Sequence, residues 1–440
     1  MKAGFVSLGC AKNLVDTEVM LGIMQSRGIE LTANPSDADI LIVNTCAFIL
    51  SAKEESITTI LNLAEYKQGR CRSLIVAGCL GQLYKRELLD EMPEVDAVIG
   101  TGAWNRIMEA IAETLSGRRV ILIGEREIIY DAKTPRLRTT PNYTAYVKIA
   151  EGCNNRCSFC SIPLIRGRQI SRPIEDIKLE VERLTRQGVK EINLIAQDST
   201  AYGTDLYGKP KLVELLRELV KLDVHWLRIL YAYPRRFTDE LIDLIAAEPK
   251  ICKYVDLPLQ HASNKILKMM NRPDTRESIE ALLNKIRARI PGVVIRSTFI
   301  VGFPGETDDD FQELKNFLQT QRLDKVGIFT YSREEGTAAY DFPNQITEDV
   351  MQEHYHDLMS MQSLISQELN EALEGQELEV LIENRDEGVP EVVAGRSYRD
   401  APEVDGLVYI ENDGRSEAGD IVRVKVLAGF VYDIAAERID

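Results

Sequence analysis

Three cysteines fall within eight residues, in Cys153-Asn-Asn-Arg-Cys157-Ser-Phe-Cys160. Thiolates this close suit a metal centre. A four-iron, four-sulfur cluster takes one ligand per iron, so three cysteines leave one iron open to a cofactor or substrate. Zinc is the rival reading, because Cys-x-x-Cys also suits a tetrahedral ion. A structural zinc site normally has four ligands, however. The chain has no second Cys-x-x-Cys pair, and its only histidines are His225, His261, His354 and His356.

A second trio is scattered: Cys10, Cys46 and Cys79. Each follows a short apolar run by two or three residues, the runs being Gly4–Leu8, Ile40–Val43 and Leu74–Ala77. If those runs are parallel strands, the loops after them converge on one sheet edge, where such folds bind ligands. The trio would then meet in space and again leave one iron open. The bland alternative is three small core residues, since free cysteine is often buried. Cys71 and Cys252 precede their strands, lie at the opposite edges, and read as incidental.

The elements that must hold these residues follow from periodicity. Residues 1–125 alternate apolar runs with helical stretches such as Asn13–Arg27 and Lys53–Glu65, a β-α-β rhythm. Residues 126–141 read as a polar linker broken by prolines and charges. Residues 142–346 carry six strand candidates: Ala145–Ala150, Glu191–Ala196, Trp226–Ala232, Tyr254–Leu257, Val293–Val301 and Lys325–Tyr331. Helical stretches separate them, and Thr307-Asp-Asp-Asp310 looks like a capped helix start. Six β/α units predict an open partial barrel, not the closed eight-unit form. A helix at 347–373 leads to 374–440, where short alternating strands and Gly/Asp turns predict a small β-barrel. The expected fold class is α/β: an N-terminal doubly wound parallel-sheet domain, a central partial (βα)6 barrel and a C-terminal small antiparallel β-barrel.

Composition narrows the function. The chain has 440 residues, 45% hydrophobic and 28% charged, with a net charge of −16. That balance argues against a chain that coats nucleic acid non-specifically, which needs clustered Lys and Arg. No apolar run nears the roughly 18–20 residues that span a bilayer, and the N-terminus lacks a signal peptide's apolar region. The expectation is a cytoplasmic protein with no membrane contact. In a reducing compartment its eight cysteines are better explained as ligands than as disulfides.

The cysteine pattern at a six-unit barrel mouth resembles the radical S-adenosylmethionine (SAM) superfamily. Ser-Leu-Gly-Cys10-Ala-Lys-Asn-Leu-Val-Asp-Thr-Glu18, Val-Asn-Thr-Cys46, Ala-Gly-Cys79 and Glu-Gly-Cys153-Asn-Asn-Arg-Cys157-Ser-Phe-Cys160 are similar to the methylthiotransferases. The likeness covers essentially the whole chain, and implies that residues 374–440 form a TRAM domain. Within that family, Leu-Gly-Cys-Ala-Lys-Asn-Leu-Val-Asp and Gly395-Arg-Ser-Tyr-Arg-Asp-Ala-Pro-Glu-Val-Asp-Gly406 resemble the branch acting on an aspartate of ribosomal protein S-twelve. The commoner Leu-Gly-Cys-Pro-Lys is Leu-Gly-Cys-Ala-Lys here. Charge agrees with that branch: 374–440 holds 17 acidic and 7 basic residues, a net −10. An acidic barrel repels an RNA backbone and attracts a basic ribosomal protein; a merely solvated acidic face is the bland reading.

The resemblance implies two [4Fe-4S] clusters, on Cys153/Cys157/Cys160 and on Cys10/Cys46/Cys79, with SAM as cofactor. It implies hydrogen abstraction from the aspartate β-carbon by a 5′-deoxyadenosyl radical, then transfer of a methylated sulfur. No acid–base pair could remove so weakly acidic a hydrogen, and the protein's part is binding, orientation and shielding. An electron donor such as flavodoxin or ferredoxin is implied. Gln197 ends the second barrel strand, where similar enzymes contact the methionine amino group; Arg296 would meet its carboxylate or pair with a local acid. Phe159 would pack near the adenine. Gly302, in Ile300-Val-Gly-Phe-Pro-Gly-Glu-Thr307, would let backbone approach the cofactor or simply permit a tight turn. His261 reads as a satisfied structural histidine, and Tyr202, Tyr231 and Tyr233 as wall residues. Two alternatives stay open: an adenosine of transfer RNA as substrate, tRNA being the less expected partner, and a non-catalytic iron–sulfur carrier or scaffold.

Overall fold

A computed structural model describes residues 1–124, 129–385, 392–412 and 414–440. Linker positions 126–128 and the acidic positions 386, 387, 391 and 413 lie outside the described residues.

The N-terminal sheet has six parallel strands: β1 (Lys2–Ser7), β2 (Glu30–Thr32), β3 (Ile40–Thr45), β4 (Ser73–Gly78), β5 (Ala97–Ile99) and β6 (Val120–Leu122). Their order is β2-β1-β3-β4-β5-β6. The apolar runs of the sequence include β5 (Ala97–Ile99) but not β2 and β6, the two edge strands. Strands β3, β4 and β5 are buried throughout, as befits a parallel sheet covered on both faces. The strand order reverses between β1 and β3, so the loops after β1, β3 and β4 share the crevice beside that switch point.

The six central strands form at Thr144–Lys148, Glu191–Ile195, Trp226–Ile229, Tyr254–Asp256, Val294–Val301 and Lys325–Thr330. Neighbours pair in parallel and in chain order, but as two three-stranded sheets. The break falls between the third and fourth strands. The expected strand Trp226–Ala232 stops at Ile229, because Tyr231 takes the left-handed backbone conformation, φ +63°. Cys252 N to Leu227 O (2.9 Å) and Ala232 N to Asp256 O (2.9 Å) bridge the gap. Helix Asp308–Gln321 starts with a capping box between Thr307 and Asp310, as its sequence predicts.

Part of the expected linker is a buried strap. The Arg136 guanidinium pairs with Glu18 of helix Ala11–Ser26 (2.6 Å) and Glu180 of helix Ile174–Arg186 (2.8 Å), joining the first domain to the second. Helix Glu348–Glu371 leads to a closed five-stranded barrel. That barrel is antiparallel except where strands Val408–Glu411 and Ile434–Arg438 run parallel. Residues of all three parts share one hydrophobic cluster, including Val15, Trp226 and Leu381. Among the described residues, no helix is long and apolar enough to cross a membrane.

Candidate active site

Cys10 precedes the first turn of helix Ala11–Ser26, Cys46 follows β3 directly, and Cys79 follows β4 and opens helix Cys79–Tyr84. The structure brings all three together. A Cβ on Gly9, whose φ is +85°, would lie 2.9 Å from Cys46 Cβ and 3.2 Å from its sulfur, so only glycine lets those loops approach. Asn13 binds the loops to one another: its amide donates to Leu8 O (2.8 Å) and Thr45 O (3.0 Å), and its Oδ1 lies 4.0 Å from Cys79 Sγ. Ser56 holds Cys46 through both backbone groups, at 3.1 Å and 2.8 Å.

Burial pushes the Cys79 thiol up to about 12 and raises that of Cys46. Burial acts the same way on Cys10, but the charges of Lys12 and Arg166 outweigh it and hold that thiol below its ordinary value. The pocket is therefore costly for bare thiolates at Cys46 and Cys79 and suits them bound to cations.

Cys153, Cys157 and Cys160 sit on the loop between Glu151 and helix Ile162–Ile165, at the carboxyl end of the first barrel strand. Cys160 N donates to Cys157 O (3.2 Å) and Cys153 N to Gly167 O (2.9 Å). Ser158 anchors the loop, its hydroxyl donating to Met269 O (2.8 Å) and its backbone N–H to Met270 O (3.0 Å). Burial pushes Cys153 up to about 11 and Cys160 up to about 12. Among the described residues, no three His, Cys, Asp or Glu side chains close around a single ion.

The softer positions differ in their surroundings. Gln197 Nε2 donates to Glu151 Oε1 (2.6 Å), while its Oε1 is buried with no partner. Such an oxygen fits an ammonium donor, as the amino group of SAM would be. Arg296 pairs with Asp256 (3.1 Å) and approaches Asp405 of the terminal barrel (3.6 Å), the local-acid option of the sequence reading. Phe159 packs on a cluster that includes Ile266, Phe303 and Met351. At Gly302 (φ +73°) a Cβ would strike Met351 Cγ at 2.1 Å, so packing against helix Glu348–Glu371 already favours glycine there. His261 is fully buried and accepts from Ser263 N (2.9 Å); its Nε2 faces Glu306 at 3.4 Å. Cys71 and Cys252 are buried in hydrophobic clusters, Cys71 donating to Ser73 O (3.3 Å).

Sequence reasoning missed the charged network that joins the two trios. Arg166, six residues beyond Cys160, reaches back into the N-terminal domain. Its guanidinium donates to Asp16 (2.7 Å), Glu151 (3.0 Å) and Asn13 Oδ1 (2.8 Å), and lies 3.7 Å from Cys79 Sγ. Lys148 pairs with the same two carboxylates, Asp16 and Glu151 (2.6 Å to the latter). Burial alone would raise the Glu151 carboxyl, yet Arg166 and Lys148 hold it down at about 2. One signal was available: Asn13 and Asp16, three apart on one helix, share a face. Lys12 was missed too. It is 6% exposed, its amine lies 3.0 Å above the Tyr231 ring, and burial draws it down to about 8.

Comparison with known proteins agrees with this arrangement. Residues 147–318 match the model of the Radical SAM superfamily, 2–100 that of the Uncharacterized protein family UPF0004, and 375–439 that of the TRAM domain. The chain is 51% identical to "Ribosomal protein uS12 methylthiotransferase RimO" of Desulforamulus reducens, over 99% of this chain and 98% of that protein. It is 50% identical to the protein of that name from Pelotomaculum thermopropionicum, over 100% and 99%. Among solved structures, the radical S-adenosylmethionine methyltransferase TsrM of Kitasatospora setae shares the fold, with a TM-score of 0.53 and 16% identity over 75% of this chain and 74% of that one. With two trios of cysteines at the mouth of a partial barrel and that identity from end to end, the chain belongs to the RimO family of radical SAM methylthiotransferases and is a transferase.

Proposed function

We propose that this enzyme transfers a methylthio group to the β-carbon of an aspartate in ribosomal protein uS12, the S-twelve protein of the small subunit. One observation carries the reading: two separate trios of cysteines face one region between the first two domains, with Arg166 spanning from the loop of one to the sulfur of the other. The relatives' printed name supplies the substrate.

In this reading Cys153, Cys157 and Cys160 hold one [4Fe-4S] cluster, and Cys10, Cys46 and Cys79 hold a second. When bound, the clusters would supply the electron that splits SAM and the place where sulfur is held for transfer. The chain's own residues position the partners. Gln197 Oε1, which has no partner, would accept from the cofactor's amino group while its amide nitrogen stays on Glu151. Glu151, Asp16, Lys148 and Arg166 form a balanced quartet, two anions and two cations, that fixes the domains at a set separation. Ordering both partners in a site closed to water is the protein's share of the rate. A reduced flavodoxin or ferredoxin provides the electrons.

The test is anaerobic turnover of the reconstituted enzyme with SAM, a reductant and a uS12 peptide, read by mass spectrometry. The expected product carries a methylthio group in place of one hydrogen on the aspartate. Methylthiolated transfer RNA with an unmodified peptide would move the substrate to the nucleic acid. Release of no 5′-deoxyadenosine at all would remove the radical step.

A further inference from the structure

Lys12 has one charged neighbour of its own, the Cys10 thiol two residues away, which a bound cluster would engage. Among the described residues no carboxylate lies within ion-pair distance of its amine, which sits over the face of Tyr231, 3.0 Å from the ring centre. The carboxylates whose charge acts on it are already engaged. Asp256 accepts from Arg296 on one oxygen (3.1 Å) and from Tyr231 N on the other (2.8 Å). Glu151 accepts from Gln197 on one oxygen, and from Lys148 and Arg166 on the other. A buried ammonium seated on an aromatic ring, with no carboxylate paired to it, retains donors for an acceptor that arrives from outside.

Its platform is built for the purpose. Tyr231 adopts φ +63°, a conformation costly for a tyrosine, and is held in it by Asp256 and by its own carbonyl, which accepts from Ser199 N (2.9 Å). Strain of this kind persists where surrounding contacts over-determine it. The ring lies two residues beyond the third barrel strand, on the barrel side, whereas Lys12 comes from the opposite domain, two residues from Cys10. The amine therefore sits between the barrel interior and the N-terminal cysteines.

We infer that Lys12, seated on Tyr231, binds the side-chain carboxylate of the substrate aspartate and so selects an acidic residue over its amide. The inference rests on the proposed function and adds to it the group that recognises the substrate's charge. A carboxylate held beside the Cys10 loop places the neighbouring β-carbon near the trio assigned to sulfur. The other carboxylate available to the site belongs to the methionine part of SAM; Gln197, on the barrel side, marks the place of that moiety, so Lys12 is left to the substrate.

The test uses the full chain with both clusters and two labelled uS12 peptides, one with the target aspartate and one with asparagine there. Binding is read by fluorescence anisotropy, with SAM affinity measured in parallel by equilibrium dialysis. The unaltered enzyme is expected to prefer the aspartate peptide at least about tenfold, the scale of one charged hydrogen bond. Lys12→Met is expected to bring the ratio near one with SAM affinity unchanged, and Lys12→Arg to keep part of the preference. A flat ratio in the unaltered enzyme overturns the inference without any variant, and so does a ratio that survives Lys12→Met. Loss of SAM affinity with the peptide ratio intact assigns the amine to the cofactor and also overturns it. An enzyme that methylthiolates the aspartate peptide yet shows a flat ratio loses only this inference. One that modifies transfer RNA and leaves the peptide untouched loses the proposed function as well.

Discussion

Arg396 of the terminal barrel places its guanidinium 2.7 Å from Glu191, the first residue of the second central strand, with both side chains out of solvent. Arg228 holds the same carboxylate at 3.1 Å. Together they tie the third domain to the foot of the second. The contact extends along Arg396–Asp405: Tyr398 OH donates to Gly292 O, Arg399 pairs with Asp324, Asp400 with Lys325, and Asp405 accepts from Tyr254. The run Gly395–Gly406, noticed in the sequence as a family mark, works as a docking loop.

That pairing has a pH signature. Burial opposes the Glu191 charge, but Arg396 and Arg228 hold its carboxyl at about 2, below the roughly 4.3 of a free glutamate. The stabilisation is whole above about pH 4.3 and fades as pH falls toward about 2, a difference of about 3 kcal/mol. Glu191→Gln should lose stability near neutral pH and show a flatter decline over that window in thermal melts. A variant whose melting curve tracks the parent from pH 5 down to 2.5 would place the pH sensitivity elsewhere.

Arg166 should matter to structure before chemistry. Arg166→Gln leaves Asp16 and Glu151 with Lys148 alone, a loss of roughly 3–5 kcal/mol for a broken buried pair. Urea unfolding of the metal-free protein measures it, and Arg166→Lys should recover part. Because Arg166 also lies beside Cys79, the N-terminal centre should lose iron more readily than the central one. Equal iron loss from both centres would mean that the charge has no special bearing on Cys79.

The two trios should separate in function. Cys157→Ala should abolish release of 5′-deoxyadenosine. Cys46→Ala should retain some release while stopping methylthio transfer. Parallel loss of both reactions in Cys46→Ala, in a protein with a normal circular-dichroism spectrum, would end the division of labour.

Cys71→Ser and Cys252→Ser should keep the parent's iron content, since both thiols lie in hydrophobic clusters. The expected cost is a modest drop in melting temperature from placing a hydroxyl where a thiol was buried. Iron analysis of the purified variants decides it; a clear deficit in either would give that cysteine a ligand's part.

The barrel strands and both trios were legible because their signals are local or repeat simply. Apolar runs give strands, and a parallel sheet turns three distant cysteines into neighbours at one edge. Pairings across the chain left no such trace. Arg166 is 150 residues from Asp16, and nothing in either neighbourhood announces the other. Lys12 could be read as part of a motif, but its burial on Tyr231 depends on a break in the third strand that the apolar run Trp226–Ala232 concealed. Gly302 shows the reverse case. The sequence marked the glycine, and only the packing of Met351 shows why the backbone needs it.

The most direct measurement is iron and sulfide content, with Mössbauer spectra, of anaerobically purified parent protein and two triple variants, one lacking Cys10, Cys46 and Cys79 and one lacking Cys153, Cys157 and Cys160. Two centres predict that each variant keeps about half the parent's iron, in an intact four-iron cluster. A parent with one centre, or a triple variant that retains all of its iron, would contradict the account.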